Sequence, residues 1–366
     1  MNTGMNTGMG PTLMTDISAQ LVAQVADARS QKTPLRIIGG NSKAGVLARE
    51  VTGTPLNIKE HQGVVSYDPT ELVLTVRAGT MLKEIEAVLE EQGQMLPFEP
   101  PHLGEGATIG GTLAGNLSGP VRPYTGSIRD MALGVRLING RAQHLRFGGE
   151  VMKNVAGYDV TRLQAGALGS LGVLTEVSLK LLPRPAQVMT LTFELPQDEA
   201  IQKIAALTNS AQAVSGASWS EGMLYMRLSG TSEGVKATRK LWGGEELPSD
   251  TGFWDDLREQ KATFFSGDEP LWRFSIKPTA PKLLDTEDML VDWGGGQRWL
   301  RGDHEFADME KLAIKADGHV TLFKGGDRQG EVRPALSNTH KKLHKRLKQA
   351  FDPDGILNPG SLYGWM

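Results

Sequence analysis

The sequence contains no cysteine. That excludes disulfides, thiolate zinc sites, cysteine nucleophiles and iron–sulfur clusters held by this chain. No apolar run approaches the roughly 18 residues that span a bilayer. The first lysine or arginine is Arg29, so neither a charged signal segment nor a twin-arginine signal is expected, and the chain is expected in the cytoplasm. An excess of one charge is missing as well. The 39 Lys plus Arg face 42 Asp plus Glu, a net charge of −3, which argues against a general nucleic-acid binder. The 366 residues suit two domains of ordinary size.

Glycine, by contrast, is abundant: 44 residues, about 12% against a usual ~7%. It is concentrated between 104 and 172, with 15 in 69 positions. Residues 1–15 repeat Met-Asn-Thr-Gly and lack apolar periodicity, which reads as a disordered leader. Order is expected from Asp16, a candidate N-cap for a helix carrying Ile17, Leu21 and Val25 on one face. A strand over Leu35–Ile38 runs into Gly39-Gly40-Asn41-Ser42-Lys43, and another covers Leu72–Val76. Thr80 is placed to cap a helix carrying Leu82, Ile85 and Leu89, stopped by Gly93. Leu133–Ile138, Asn139-Gly140 and Arg141–Phe147 predict a hairpin with a type I′ turn. From Val173 to Leu181 apolar and polar residues alternate, the mark of a strand with one solvated face.

Pro183-Arg184-Pro185 is the expected boundary between a first domain, 16–185, and a second, 186–335. Beyond it, strands (Met189–Leu195, Met223–Ser229) alternate with helices (Gln197–Thr208, Ser232–Trp242). The pattern recurs with strands Trp272–Ile276, Met289–Trp293 and His319–Phe323 and a helix Phe306–Lys315. This predicts an α+β, ferredoxin-like domain with a helix-covered antiparallel sheet. Residues 336–366 hold a helix and an extended tail. All seven Trp lie after position 200; Trp293 and Trp299 read as core or subunit-interface residues.

Clustered glycines let backbone N–H groups close on a ligand, above all on phosphates. No Walker A pattern is present. Gly104 to Gly110 has one residue too many for a Rossmann loop and no strand before it, and Gly166-x-x-Gly169-x-x-Gly172 leads into a strand, the reverse order. A phosphate cradle of another kind remains.

Five segments, in order, resemble the FAD-binding domain of the vanillyl-alcohol-oxidase type, also called PCMH-type. Gly39-Gly40-Asn41-Ser42-Lys43 is similar to its pyrophosphate loop. Pro100-Pro101 through Thr108, Gly110 and Gly111, on to Asn116 and Gly119, resembles its long central flavin loop. Gly126-Ser127-Ile128-Arg129-Asp130 follows in place. Gly169 to Thr175, with Gly172 and Val173, is similar to its third flavin-contacting segment. Phe351 to Gly360, with Asn358, resembles the C-terminal signature that returns over the flavin. Lys153 to Asp159 and the short second domain resemble the smaller flavin subunits of bacterial glycolate oxidases. The resemblance implies a two-subdomain FAD-binding domain, noncovalent FAD, and a complex with a larger flavin subunit and an iron–sulfur subunit. Such complexes oxidise glycolate to glyoxylate, and also D-lactate, and this chain would meet the inner membrane only through the complex.

Departures from the family pattern are informative. The seven His residues form no convincing metal-ligand pair, so no metal is expected; Asp303-His304-Glu305 reads as a solvated helix start. Leu168 stands where many relatives carry Glu, and Ser361 where a basic residue is frequent. Arg129 and Asp130 read either as an ion pair steadying the flavin loop or as a surface pair. Arg298 and His319, at strand ends of the second domain, are the candidate catalytic residues: a guanidinium fork for a substrate carboxylate and a base for its hydroxyl proton. The basic run Lys341 to Lys348, with Leu336, Leu343 and Leu347 as its apolar stripe, reads as an amphipathic helix with a solvated basic face. Three functions stay open: a redox-active FAD subunit of a glycolate oxidase, a self-sufficient D-2-hydroxy-acid dehydrogenase, and a non-catalytic flavin-fold scaffold.

Overall fold

The computed structural model describes residues 15–149, 158–208, 213–284, 286 and 288–366. The proposed leader up to residue 14, and Lys153–Gly157 of the subunit-specific motif, lie outside the described residues.

The first half of the chain has three small sheets, one of them only the pairing of Gln94–Met95 with Leu182–Pro183; the other two carry the fold. In one, strands Leu35–Ile38 and Thr54–Asn57 pair in parallel. The other is antiparallel and five-stranded, in the order Val64–Asp68, Val73–Arg77, Val173–Lys180, Ala132–Ile138 and His144–Gly148. Helix Leu82–Glu90 packs on this core through Leu82, Ile85 and Leu89, all fully buried. Each such side chain contributes about 1.5–3 kcal/mol. The helix is capped otherwise than its sequence suggests. Met81 holds the N-cap position, and the Thr80 hydroxyl accepts from the Gly63 N–H at 2.9 Å instead. The first helix, Ser18–Gln31, begins one residue after Ile17, and Asp16 Oδ1 accepts from the Ser18 N–H at 2.9 Å.

The hairpin at 139–143 also departs from expectation. Its left-handed residue is Ala142, not Asn139 or Gly140. The Asn139 carboxamide accepts from the N–H groups of Arg141 and Gln143, both at 3.0 Å. Gly140 is needed for another reason: a Cβ there would meet the Asp352 backbone and carboxylate, because the C-terminal segment packs directly on this turn.

The second half forms one eight-stranded antiparallel sheet. Its order is Glu245–Leu247, Gln187–Glu194, Met223–Gly230, Val214–Ser220, Met289–Asp292, Gln297–Arg301, Leu271–Ser275 and His319–Lys324. Helices Gln197–Thr208, Ser232–Trp242 and Phe306–Lys315 cover one face. The other face turns toward the first half. There Leu271, Leu290, Trp299 and Phe323 pack with Val46, Leu47 and Leu117 in a shared apolar cluster. Trp299 meets Phe323 edge-on, with ring centroids 4.9 Å apart, an arrangement that aromatic quadrupoles favour.

The chain end returns to the first half. Leu357 bridges Leu35 in parallel, flanked by bonds from the Leu35 N–H to the Ile356 carbonyl and from the Asn358 N–H to the Leu35 carbonyl. Helix Asn338–Phe351 is anchored by Lys348, whose Nζ donates to the carbonyls of Ser170 and Leu357 and pairs with Asp352 at 2.8 Å. Lys348 is therefore a buried tie, not part of a solvated basic face. Lys341 and Lys345 do stay outside, over the ring of Trp365.

Candidate functional site: a glycine-lined cavity closed by the chain end

Three stretches of nearly bare backbone enclose a cavity of about 520 Å³. The turn after Leu35–Ile38 supplies Gly39 to Lys43. Thr108, Gly110, Gly111, Ala114 and Gly115 supply a second wall, and Leu168, Gly169, Gly172 and Leu174 a third. Arg328, Asn358 and Ser361 close it from the C-terminal side.

Close backbone approach explains the glycines. A Cβ on Gly40 would run into the Gly106 carbonyl, and one on Gly39 would come within 2.7 Å of the Thr108 hydroxyl. Gly110 is required by the helix–strand contact, since its Cβ would lie 2.8 Å from the Ala78 carbonyl. Gly172 similarly leaves room for the Leu137 side chain. The Thr108 hydroxyl caps the helix Ile109–Gly115, accepting from the Gly111 N–H at 3.3 Å.

Two side chains join the walls. The Asn358 carboxamide oxygen accepts from the Ile37 N–H, and its nitrogen donates to the Leu168 carbonyl, both at 2.7 Å. Its backbone is left-handed, with φ of 40°, a conformation that asparagine tolerates better than most residues. Lys43 donates to the His102 carbonyl and the Ser42 hydroxyl, both at 3.3 Å. Burial pulls its ammonium down to about 8, partly offset by the charge of Glu259. No carboxylate touches it among the described residues. A cation held this way, beside a glycine turn, is electrostatically short of an anion.

Of the residues singled out from the sequence, Gly39, Gly40, Asn41, Ser42, Lys43, Thr108, Gly110, Gly111, Gly172 and Asn358 line this cavity. Asn116, Gly119, Gly126, Ser127, Arg129 and Val173 do not. Asn116 is the left-handed C-cap of the helix. Gly119 lies against the Glu99 carbonyl. Ser127 forms a capping box, its N–H and hydroxyl both donating to Asp130. Arg129 is exposed, and Val173 is a buried strand residue.

Arg298 and His319 are not brought together. Both pair with strand Leu271–Ser275, Arg298 opposite Phe274 and His319 opposite Ser275, so they project from opposite faces of the sheet. The Arg298 guanidinium is fully buried on the helix-covered face and donates to the carbonyls of Ala280, Pro281 and Gly295. It staples two loops and has no fork left for a ligand.

Sequence reasoning missed Arg328 and the 45–50 segment, which also line the cavity. Gly45, with φ of 75°, extends the glycine signal and could have marked the segment. Nothing local marks Arg328, which donates to the carbonyls of Ala48 and Leu322. His102, the histidine nearest the flavin loop, lines a neighbouring space instead, with its Nε2 3.1 Å from Glu86.

The cavity fits a dinucleotide. A glycine turn with a buried, underneutralised lysine suits a pyrophosphate, and Val46, Ala114, Leu168 and Leu174 offer apolar walls to flat rings. Comparison with known proteins agrees. Residues 16–148 match the family described as FAD binding domain, and residues 297–362 the C-terminal domain of FAD linked oxidases. The chain is 50% identical to glycolate oxidase subunit GlcE of Escherichia coli (strain K12) over 348 residues, 95% of this chain and 98% of that protein. It is 33% identical to glycolate oxidase subunit GlcD of Bacillus subtilis (strain 168) over 139 residues, 38% of this chain and 29% of that one. Among solved structures, p-cresol methylhydroxylase with substrate bound matches at a TM-score of 0.71 and 15% identity. That match covers 94% of this chain and 87% of the other. An alkyldihydroxyacetonephosphate synthase structure matches at 0.63 and 17%, over 93% and 74%. The fold is thus that of PCMH-type flavoproteins, and the chain belongs to the FAD-linked oxidase family, in the branch of glycolate oxidase subunit GlcE.

Proposed function

We propose that this chain holds noncovalent FAD in the glycine-lined cavity as one subunit of a complex that oxidises glycolate to glyoxylate, and also D-lactate. The observation that carries the reading is the 50% identity to glycolate oxidase subunit GlcE across 98% of that protein. FAD, when bound, supplies a redox centre that takes up electrons from the oxidation of the 2-hydroxy acid and passes them on. The chain's own residues do the rest. Gly39 and Gly40 open the backbone to the pyrophosphate, Lys43 neutralises it, and Asn358 ties the chain end across the site. Noncovalent binding is supported by the orientation of His102 toward Glu86, away from the cavity.

In this reading the chain is needed for turnover but turns over little by itself, passing electrons through its FAD toward an iron–sulfur subunit. It works in the cytoplasm and meets the inner membrane only through the complex. Two observations support the division of labour. Among the described residues no three His, Asp or Glu side chains gather as metal ligands, and the guanidinium of Arg298 is already consumed by carbonyls. Stabilising a developing alkoxide needs a metal or preorganised donors, and losing one such donor costs about 10²–10³ in rate.

The test is spectroscopic. The chain is purified alone and with its partners, and glycolate is added anaerobically. A yellow chain whose flavin stays oxidised alone, but bleaches in the assembled complex, supports the reading. A chain that remains colourless after FAD reconstitution refutes the cofactor assignment. Rapid bleaching of the chain alone refutes the division of labour and favours the self-sufficient dehydrogenase.

A further inference from the structure

A separate small space lies between the inward face of the eight-stranded sheet and residues 117–120 of the first half. It measures about 30 Å³. By that measure one water needs roughly 10–15 Å³, so an occupant has only a few heavy atoms.

The groups around it are chemically mismatched. Arg273 lines it from strand Leu271–Ser275. Its side chain makes no hydrogen bond or ion pair among the described residues and lies over the Phe323 ring, 5.2 Å from its centre. The charges that act on it are of its own sign, Arg333 and Arg122. Arg122 lies over the Trp293 ring at 4.3 Å, and Arg333 donates to the Leu47 carbonyl. Burial and these neighbours pull the Arg273 guanidinium down to about 9.

On the same wall are two acceptors without donors. Asp292 and Gln297 face each other across adjacent strands, and each is only 4% exposed. Asp292 Oδ1 and Gln297 Oε1 have no hydrogen-bond partner. Gln297 pairs with Ser275, two residues along the strand from Arg273, so all three side chains stand on one face. An unpaired guanidinium calls for a carboxylate, which it holds in two parallel bonds. Buried acceptors without donors call for a hydroxyl.

We infer that Arg273 binds the carboxylate of a two- or three-carbon 2-hydroxy acid, with Gln297 or Asp292 accepting the single proton of its hydroxyl group. The inference rests on the proposed function and deepens it, since it places recognition of the small acid on this chain whichever subunit oxidises it. His319 stands on the same face as Arg273 and is near enough to Arg273 and Arg333 for their charges to disfavour its protonation. The expectation of a guanidinium with a histidine in the second domain thus finds a guanidinium in Arg273, where Arg298 does not serve.

The experiment is anaerobic titration calorimetry on the FAD-loaded chain, with the visible spectrum recorded on the same samples. Glycolate and D-lactate are the probes. Glycolamide, uncharged and of the same size, is the control, and succinate tests length. Glycolate and D-lactate should bind, and glycolamide and succinate should not. Arg273→Met should weaken glycolate binding by about tenfold or more, the worth of charge-assisted hydrogen bonds, with FAD content and melting temperature unchanged. Arg273→Lys should recover part of it, and Gln297→Leu should weaken binding about threefold. If Arg273→Met loses FAD, Gln297→Leu and Arg273→Lys carry the test. Unchanged binding in Arg273→Met, or no glycolate binding by an FAD-loaded wild-type chain, overturns the inference. Failure of the functional reading shows elsewhere, as missing flavin absorbance or as an assembled complex that does not oxidise glycolate.

Discussion

Two spaces of this molecule, the glycine-lined cavity and the chamber under the eight-stranded sheet, are built from different materials. The glycine-lined cavity is walled by backbone: side chains at Gly39, Gly40, Gly110 and Gly172 would press into neighbouring groups. The chamber under the eight-stranded sheet is lined by side chains that include Arg273, Asp292 and Gln297, which share a face only because strand register sets them there. A backbone-walled site tolerates almost no added volume but is indifferent to most chemistry. A side-chain-walled site tolerates shape changes but answers sharply to charge.

The largest expected effect tests the backbone wall. Gly40→Val puts a branched side chain into the Gly106 carbonyl. Neither partner is a flexible side chain, so relaxation is limited. Overpacking of this kind costs about 3 kcal/mol at the upper end of its ordinary range, roughly a 100-fold loss of FAD affinity if it falls on binding. Flavin content after gel filtration measures it. A variant with full FAD would show that the turn does not approach the cofactor.

A smaller effect concerns the one cation in the glycine turn. In the cofactor-free fold Lys43 titrates at about 8, below its ordinary 10.5. A pyrophosphate beside it raises that value again. Affinity for FAD should therefore be complete below pH 8 and fall above it, by at most about tenfold per pH unit, until the pKa of the complex is reached. For the cofactor-free fold the sign is opposite. Folding depresses this pKa, so the cost of burying the charge is present below pH 8 and fades between 8 and 10.5. Equilibrium titration with FAD at pH 6.5, 8 and 9.5 should show the slope in the wild type and a flat profile in Lys43→Gln. A flat wild-type profile would remove Lys43 from the phosphate site.

The smallest expected effect probes the side-chain wall. Burial holds the Asp292 carboxyl up at about 7, opposed by the Trp293 N–H and the Arg227 charge and reinforced by Glu99. A raised carboxyl destabilises the fold when it ionises. Its cost is absent below pH 4, grows as pH rises toward 7, and is constant above. Asp292→Asn should therefore stabilise the protein at pH 8 relative to pH 6 by about 1–2 kcal/mol, read from denaturant midpoints at the two values. Equal effects at both pH values would mean that Asp292 is ionised throughout.

The comparison also explains which parts of the fold could be read in advance. Helices Gln197–Thr208, Ser232–Trp242 and Phe306–Lys315 have the bounds their apolar spacing predicts, because each buries one stripe against a sheet. Strands Val214–Ser220 and Gln297–Arg301 went unread. The first contains Gly216, which leaves room for the Trp254 ring. The second carries Arg298 at a fully buried position, where a charged residue breaks the apolar pattern. Lys348 belongs to the same class: in sequence it is one more base in a basic helix, and in the fold it is the tie to Ser170, Leu357 and Asp352.

By itself the sequence determined the glycine turns, the order of the five flavin-type segments and the helices, because steric freedom of the backbone and 3.6-residue periodicity are local properties. Only the tertiary structure decided which charged groups are spent and which are free. Arg298 and Arg273 are both arginines on strands of one sheet. The first faces three loop carbonyls and the second an open chamber, because a one-residue change of register reverses the face on which a side chain stands.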